Sequence, residues 1–349
     1  MLDCLPFSHL DNKEFLATLH DAQTDVNLSV TQLNNILADL SNNDFYSNLK
    51  NDNLTIEDFN QNHSTQVYDL RCLHINIHSL NSKLDDFIQL VNSLDVCFDV
   101  ICLTEIWSTN IQFFACVLQH YNFYNDLPKS GIVGGVGIFI HKSIQCKIRH
   151  DLYIKSNFNN MIENLWFEIA KSGSKFIVGC IYRHPNSFIA DFSKLLETTL
   201  NKINKRKFPC VLLADMNIDL LKMCSSSAVR DYTDFLLSNN FLPILLLATR
   251  VTCSSATLID HIYFFSNIHN VKSKINCGNI LSDISDHYPN FCLIKFNKYL
   301  DMSNRPYTRV FSPKNKTDFN EKINSLDWVT IFNNINDVIC VTIPLLINY

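Results

Sequence analysis

Short apolar runs, each closed by a polar residue, recur along the middle of the chain. Leu73 and Ile75 lie in a strand-like run that ends at Asn76, and Val100-Ile101-Cys102-Leu103 is a buried-strand pattern that ends at Thr104-Glu105. The glycines of 131–137 turn the chain into a strand at 136–140, and further strands are predicted at 165–170 and 175–182. Pro209 opens a strand that reaches Asp215, and later strands fall at 259–265 and 291–296. Elsewhere the period lengthens to that of a helix. Leu84, Phe87, Ile88 and Val91 share one face behind a capping Asn81, and helices are predicted near 188–205 and 229–238. Strands outnumber helices, and only some of them are joined by helical crossovers. That predicts a mixed sheet system with helices outside it, an α/β (α+β) chain rather than a repeated parallel unit.

The two ends read differently. Residues 1–68 are rich in Asn and Asp; Phe15, Leu16 and Leu19, then Val26, Leu28, Val30, Leu33, Ile36 and Leu37, are spaced for amphipathic helix. The polar, turn-prone stretch 41–64 reads as a linker. After Lys298 the pattern weakens. Phe319, Ile323, Leu326 and Trp328 suit one helix, and the chain stops straight after an apolar run, like the stub of something longer. The expected organisation is a partly disordered helical and linker segment over 1–68, a main domain over 69–298 and a C-terminal extension over 299–349.

Composition narrows the class. With 349 residues, 47% hydrophobic and 18% charged, the chain can build a sizeable core, which argues against global disorder. A net charge of -5 argues against holding nucleic acid by bulk electrostatics, but leaves room for local patches or a metal-bridged phosphate contact. The 13 cysteines are scattered without a C-x-x-C pair, so a reducing intracellular compartment, nucleus or cytoplasm, is expected rather than a secreted disulfide scaffold. No secretory leader opens the chain, and no run approaches the roughly 20 apolar residues of a membrane span.

The polar residues that close the apolar runs gather at one sheet edge, where α/β folds carry their chemistry. Asp215-Met216-Asn217 follows an apolar strand, so its carboxylate and amide are placed to face one side; in isolation the same spelling is turn chemistry. Glu105 is an acid at a strand end, and Asn76 a polar terminus; both have an ordinary surface reading. Asp286-His287 precedes the rigid Pro289, and His287 is equally readable as a structural imidazole. Asp260 interrupts the apolar 258–262 and needs a partner, because an unpaired buried carboxylate is costly. An imidazole would serve, which makes Asp260 and His287 a candidate pair.

The ordered set carries more than its parts. The segments Leu73-His74-Ile75-Asn76-Ile77-His78-Ser79-Leu80 with Lys83, Leu103-Thr104-Glu105-Ile106-Trp107, Gly134-Gly135-Val136-Gly137, Ile181-Tyr182-Arg183, Asp215-Met216-Asn217, Thr249-Arg250, Leu258-Ile259-Asp260-His261 and Ser285-Asp286-His287-Tyr288-Pro289 resemble the endonuclease/exonuclease/phosphatase superfamily. The resemblance spans about residues 70–297, and the wording is nearest to the endonuclease domain of non-LTR, LINE-type and jockey-like retrotransposons. It implies a four-layer α/β/β/α sandwich of the DNase I-like fold, two mixed sheets packed face to face with outer helices. It implies Mg²⁺, with Mn²⁺ as a substitute, held by Glu105 with Asn76 and Asp286 nearby. Asp215 would align or deprotonate the attacking water with Asn217; His287, oriented by Asp260, and Tyr182 would face the scissile phosphate, with Thr249 on the phosphate side.

The implied activity is nicking of duplex DNA for target-primed reverse transcription. Element RNA or a reverse transcriptase would be partners within a longer polyprotein. The alternatives are a phosphatase of the same fold acting on a small phosphoester, or an inactive remnant of a mobile element. Ala214 stands where the family usually has Gly, Met216 where Phe is common, and His78 where Arg, Asn or Asp is more frequent. Lys202, Lys205, Arg206 and Lys207 form a local basic cluster, and Lys171 and Lys175 flank a hairpin turn, either of which offers a surface to DNA.

Overall fold

The computed structural model describes residues 49–327 apart from 109–111, 129–130, 156–161, 172, 206–207, 253–254, 266–273 and 296–312, together with residues 31, 33, 35 and 46. The first elements are β1 (Lys50–Leu54), α1 (Ile56–His63), β2 (Leu70–Asn76), α2 (Leu84–Ser93), β3 (Val100–Thr104), β4 (Tyr121–Asp126), β5 (Val136–His141) and β6 (Gln145–Ile148). The long hairpin β7 (Ile162–Lys171) and β8 (Ser174–Arg183) leads into α3 (Ile189–Asn204), β9 (Cys210–Asp215), α4 (Ser227–Ser238) and β10 (Phe241–Pro243). Next come β11 (Arg250–Val251), β12 (Ala256–Thr257), β13 (Asp260–Phe265), β14 (Lys274–Ile280) and β15 (Asn290–Lys295). A second unit, residues 307–349, contributes α5 (Pro313–Ser325). Among the described residues no helix is long and apolar enough to cross a membrane.

Two mixed sheets result. One runs β1-β14-β15-β2-β3-β5-β4, the other β10-β13-β9-β8-β7-β6, and β11-β12 is a separate small ribbon. Alternation along each strand sorts side chains between two interiors. Cys72, Val100, Cys102, Ile138 and Ile140 of the first sheet join Cys180, Val211 and Leu213 of the second in one core between the sheets. The intervening residues Leu73, Ile75, Ile101, Leu103 and Phe139 face the other way, onto Phe87 and Leu90 of α2. This is the four-layer sandwich of the DNase I-like fold.

Local details depart from the expectations. Asn81 does not cap α2; Lys83 holds the cap position without a side-chain bond, and the Asn81 amide reaches Ser108 Oγ at 3.5 Å. Asp260 opens β13 rather than interrupting it. Of the expected C-terminal helix, Ile323 lies in α5, Leu326 lies past its end and Trp328 is outside the described residues. The N-terminal helix positions other than Leu33, and Arg206 and Lys207, also lie outside them; Leu33 is buried in the hydrophobic cluster that includes the second sheet.

The largest departure is at 41–64, where composition predicts a linker and the structure has an edge strand and a helix. β1 pairs in parallel with β14, and the Asn51 side chain binds the backbone of Ile244 and Leu246 at 3.0 and 2.9 Å. Thr55 caps α1 by accepting from the Asp58 N–H at 3.1 Å, and Phe59 is driven into the core against Phe98 and Phe291. Polar strand residues that bond to backbone look like linker in a hydropathy reading. Gly278 lies opposite Asp52, and an added Cβ would run into the Asp52 carbonyl. Phe59→Ala should therefore lower unfolding free energy by about 3–5 kcal/mol in urea titrations. Gly278→Ala should raise hydrogen exchange across 50–54 while leaving the β7–β8 hairpin protected.

Candidate active site

Strand direction gathers the site. β2 and β3 are parallel, as are β8 and β9, so Asn76, Glu105, Tyr182 and Asp215 all arrive at corresponding ends. β13 runs antiparallel to β9 and starts at that edge, placing Asp260 directly opposite Asp215. β15 is antiparallel to β2, so the segment before it, with Asp286 and His287, reaches the same place. The Ser285 hydroxyl pins that segment by donating to the Asn76 carbonyl at 2.7 Å and accepting the His287 N–H at 3.1 Å.

Asn76 joins the acids. Its Nδ2 donates to Glu105 Oε1 at 3.0 Å and to Asp215 Oδ2 at 2.9 Å, and its Oδ1 accepts the His78 N–H at 3.1 Å. Asp215, Asp260 and His287 bring one ligand atom each within 4.8 Å of one another, and all three are buried. Asp215 is pushed well above the usual carboxylate range, first by burial and then by the Asp260 charge, with His287 opposing and Glu105 adding. Tyr182 is kept a phenol by burial, then by the charges of Glu105 and Asp215, and its hydroxyl is bonded to Glu105.

His287 Nδ1 lies 2.7 Å from Asp260 Oδ2. Burial works against a proton on His287, but the charge and hydrogen bond of Asp260 outweigh it, and the imidazole is pushed up to about 9. It is therefore an imidazolium at neutral pH, with Nδ1–H donated to Asp260 and Nε2–H left for a substrate. Behind the pair, Thr249 Oγ1 accepts the Asp260 N–H at 3.1 Å, and neutral His74 stands 4.0 Å from Asp260 Oδ1. Thr249, expected on the phosphate side, is fully buried and supports Asp260 instead.

The Asp215-x-Asn217 segment converges by a route other than strand alternation. Asn217 has φ 50°, and its N–H closes a tight turn onto Asp215 Oδ1 at 3.1 Å. Glu105 is also left-handed, at φ 54°. His78, Ser79 and Trp107 on the neighbouring segments share that region, and non-glycine residues so placed are costly and persist because the surroundings hold them. Arg183, 1% exposed, supplies part of that hold by donating to the carbonyls of Met216, Asn217 and Ser187, while its own carbonyl accepts from Asn217 Nδ2 at 2.9 Å. His261, pushed down to about 4 chiefly by burial, donates from Nε2 to Ile218 and Leu258.

Asp286 is turned outward. Its Oδ2 accepts from Arg250 Nε at 2.7 Å, and its Oδ1 lies 3.5 Å from His78 Nδ1. Sequence reasoning gave no role to Arg183, His74, Glu163 or His184. Glu163 is the strand partner of Tyr182; it holds His184 Nε2 at 2.9 Å, and the His184 ring packs on Tyr182 at 4.7 Å. Gly134 touches this pair so closely that a Cβ would strike His184, while its carbonyl takes the Trp107 N–H at 3.0 Å. The glycine run flanking the Glu105 segment was the available signal.

A hard divalent cation fits these residues. The buried acids outnumber the single imidazolium, Asp260 Oδ1 has no hydrogen-bond partner among the described residues, and the donors are predominantly carboxylate oxygens. Asp260 is already matched in charge by His287 through Oδ2, so Glu105 and Asp215, on either side of the Asn76 amide, are the better pair of ligands.

A two-sheet sandwich with acids, an amide and a carboxylate-bound imidazole at one edge is the plan of a phosphoester hydrolase of the DNase I-like class. The chain belongs to the Endonuclease/Exonuclease/phosphatase family, which matches residues 73–287. An endonuclease/exonuclease/phosphatase from Bacteroides vulgatus superposes with a TM-score of 0.50 at 14% identity, covering 65% of this chain and 99% of that one. A mannosyl-6-phosphatase from Bacteroides thetaiotaomicron gives 0.49 at 13%, covering 65% and 100%. The endonuclease domain of TRAS1, a telomere-specific non-LTR retrotransposon, gives 0.47 at 12%, covering 66% and 100%. At such identities the likeness is one of fold. No curated protein matches the sequence.

The Asp260–His287 contact is open to direct measurement. In an NMR titration the His287 ring should stay protonated until about pH 9. In Asp260→Asn its midpoint should fall to the ordinary histidine range of roughly 6.5 or below, because burial then acts unopposed by the nearest charge. A midpoint that does not move would remove Asp260 from this role.

Proposed function

We propose that the protein is a Mg²⁺-dependent phosphodiesterase, an intracellular DNA endonuclease of the non-LTR retrotransposon type that nicks duplex DNA and leaves a 3′-hydroxyl for priming. The observation that carries the phosphodiesterase reading is the Asn76 bridge between Glu105 and Asp215, beside the Asp260–His287 pair. The choice of DNA rests on the ordered motif spelling from Asn76 to Pro289, which resembles that endonuclease type.

Glu105 and Asp215 would hold the cation, which when bound offsets charge on the phosphate oxygens. Asp215, in the same buried cluster as Asp260 and His287, accepts the proton of the attacking water. The Asn217 N–H fixes Asp215 Oδ1 and the Asn76 amide fixes Oδ2, so the plane of the carboxylate is set. His287, already protonated, donates toward the phosphate as negative charge grows there, and Asp260 keeps that ring oriented without taking its proton. Tyr182 fixes Glu105 through its hydroxyl.

Supercoiled plasmid with Mg²⁺ should be converted to the nicked circle, and EDTA should abolish conversion. Asp215→Asn and His287→Ala should each lower the rate by about 10²–10⁴. Hydrolysis of inositol phosphates without nicking would identify a small-phosphoester phosphatase instead. Equal, negligible nicking by wild type and Asp215→Asn would mark an inactive remnant.

A further inference from the structure

The site described so far is built to handle one phosphate, and it is short of positive charge facing outward. Arg183 is buried and spent on carbonyls. The basic residues noted in the sequence lie elsewhere. α3 connects the parallel strands β8 and β9, so it runs from the site edge back to the opposite edge, carrying Lys202 and Lys205 away. The β7–β8 turn is also at that far edge, where Lys171 binds Asp99 and Lys175 binds Glu168.

Arg250 is different. Its backbone bridges to His287, and the Tyr288 N–H bonds the neighbouring Thr249 carbonyl at 2.7 Å, so its Cα is fixed relative to the imidazole by main chain. The side chain is 45% exposed and is anchored through Nε alone, 2.7 Å from Asp286 Oδ2. Both Nη groups have no protein partner among the described residues. A guanidinium held by one edge presents the other as a planar fork, which matches two oxygens of a phosphate.

We propose that Arg250 binds the substrate phosphate flanking the scissile one, so that the site selects a polynucleotide strand over an isolated phosphoester. The proposal rests on the phosphodiesterase reading above. Depth separates the two positions: Asp215 and Asp260 are fully buried and His287 nearly so, while the Arg250 fork lies outside them. A small phosphoester seated at His287 has no second phosphate to place there; a nucleic-acid strand does.

The test is the salt dependence of binding to a labelled duplex oligonucleotide, followed by fluorescence anisotropy in EDTA so that nothing is cut. Arg250→Gln should weaken binding about tenfold, one charge-assisted contact, and reduce the slope of log K against log salt by about 0.9. Arg250→Lys should keep the slope and regain only part of the affinity, because the charge remains while the fork is lost. Lys202→Gln, at the far edge, should match wild type. An unchanged slope in Arg250→Gln, or an equal change in Lys202→Gln, overturns the proposal. If the slope flattens while plasmid stays intact, Arg250 is a phosphate contact, but the cleavage reading falls and with it the flanking position. If plasmid is nicked and the slope does not respond, the reverse holds. Absence of any DNA binding by wild type removes both.

Discussion

Two carboxylates face each other across the β9–β13 pair, Asp215 opposite Asp260, in surroundings that exclude water. Much of the local structure answers to that opposition. Like charges so placed cannot both ionise cheaply, and each is given a different remedy. Asp260 is matched with an imidazolium at 2.7 Å and a backbone supported by Thr249. Asp215 receives only amide hydrogens, from Asn76 and Asn217, and so retains a high proton affinity. One acid is thereby held as an anion and the other left with a raised affinity for a proton, although both belong to the same sheet edge.

The remedies reach outward through backbone geometry. Asn217 and Glu105 occupy left-handed conformations, and each lies beside buried backbone or side-chain partners. Arg183 clamps the carbonyls around Asn217, and the Gly134 carbonyl takes the N–H of Trp107, two residues beyond Glu105. These supports fix the direction of the side chains at the edge.

The central strands and both long helices, α3 and α4, were legible because their apolar periods are long and unbroken. Their closing residues also marked the edge where Asn76, Glu105, Asp215 and His287 meet. What stayed hidden has a common cause. β1, β14 and β15 carry asparagines that pair with one another: Asn290 donates to Asn279, and Asn279 to Asn53, both at 2.8 Å. An amide ladder has the composition of a turn. The outward posture of Asp286 was equally hidden, since nothing in its neighbours along the chain announces Arg250, 36 residues away. Thr249 was drawn to the phosphate by resemblance, whereas its hydroxyl is taken by Asp260, a contact that only the fold defines.

The pairing of β1 with β14 also bears on how the chain acquires its shape. Asn53 meets a residue 226 positions later, so the first strand of the larger sheet has no neighbour until nearly the whole domain has left the ribosome. Loop closure over that distance is slow compared with forming the β7–β8 hairpin, whose partners are close in the chain. β1 therefore docks late, whereas Phe59 of the neighbouring helix already has Phe98 to stack on while its second partner, Phe291, is still to come.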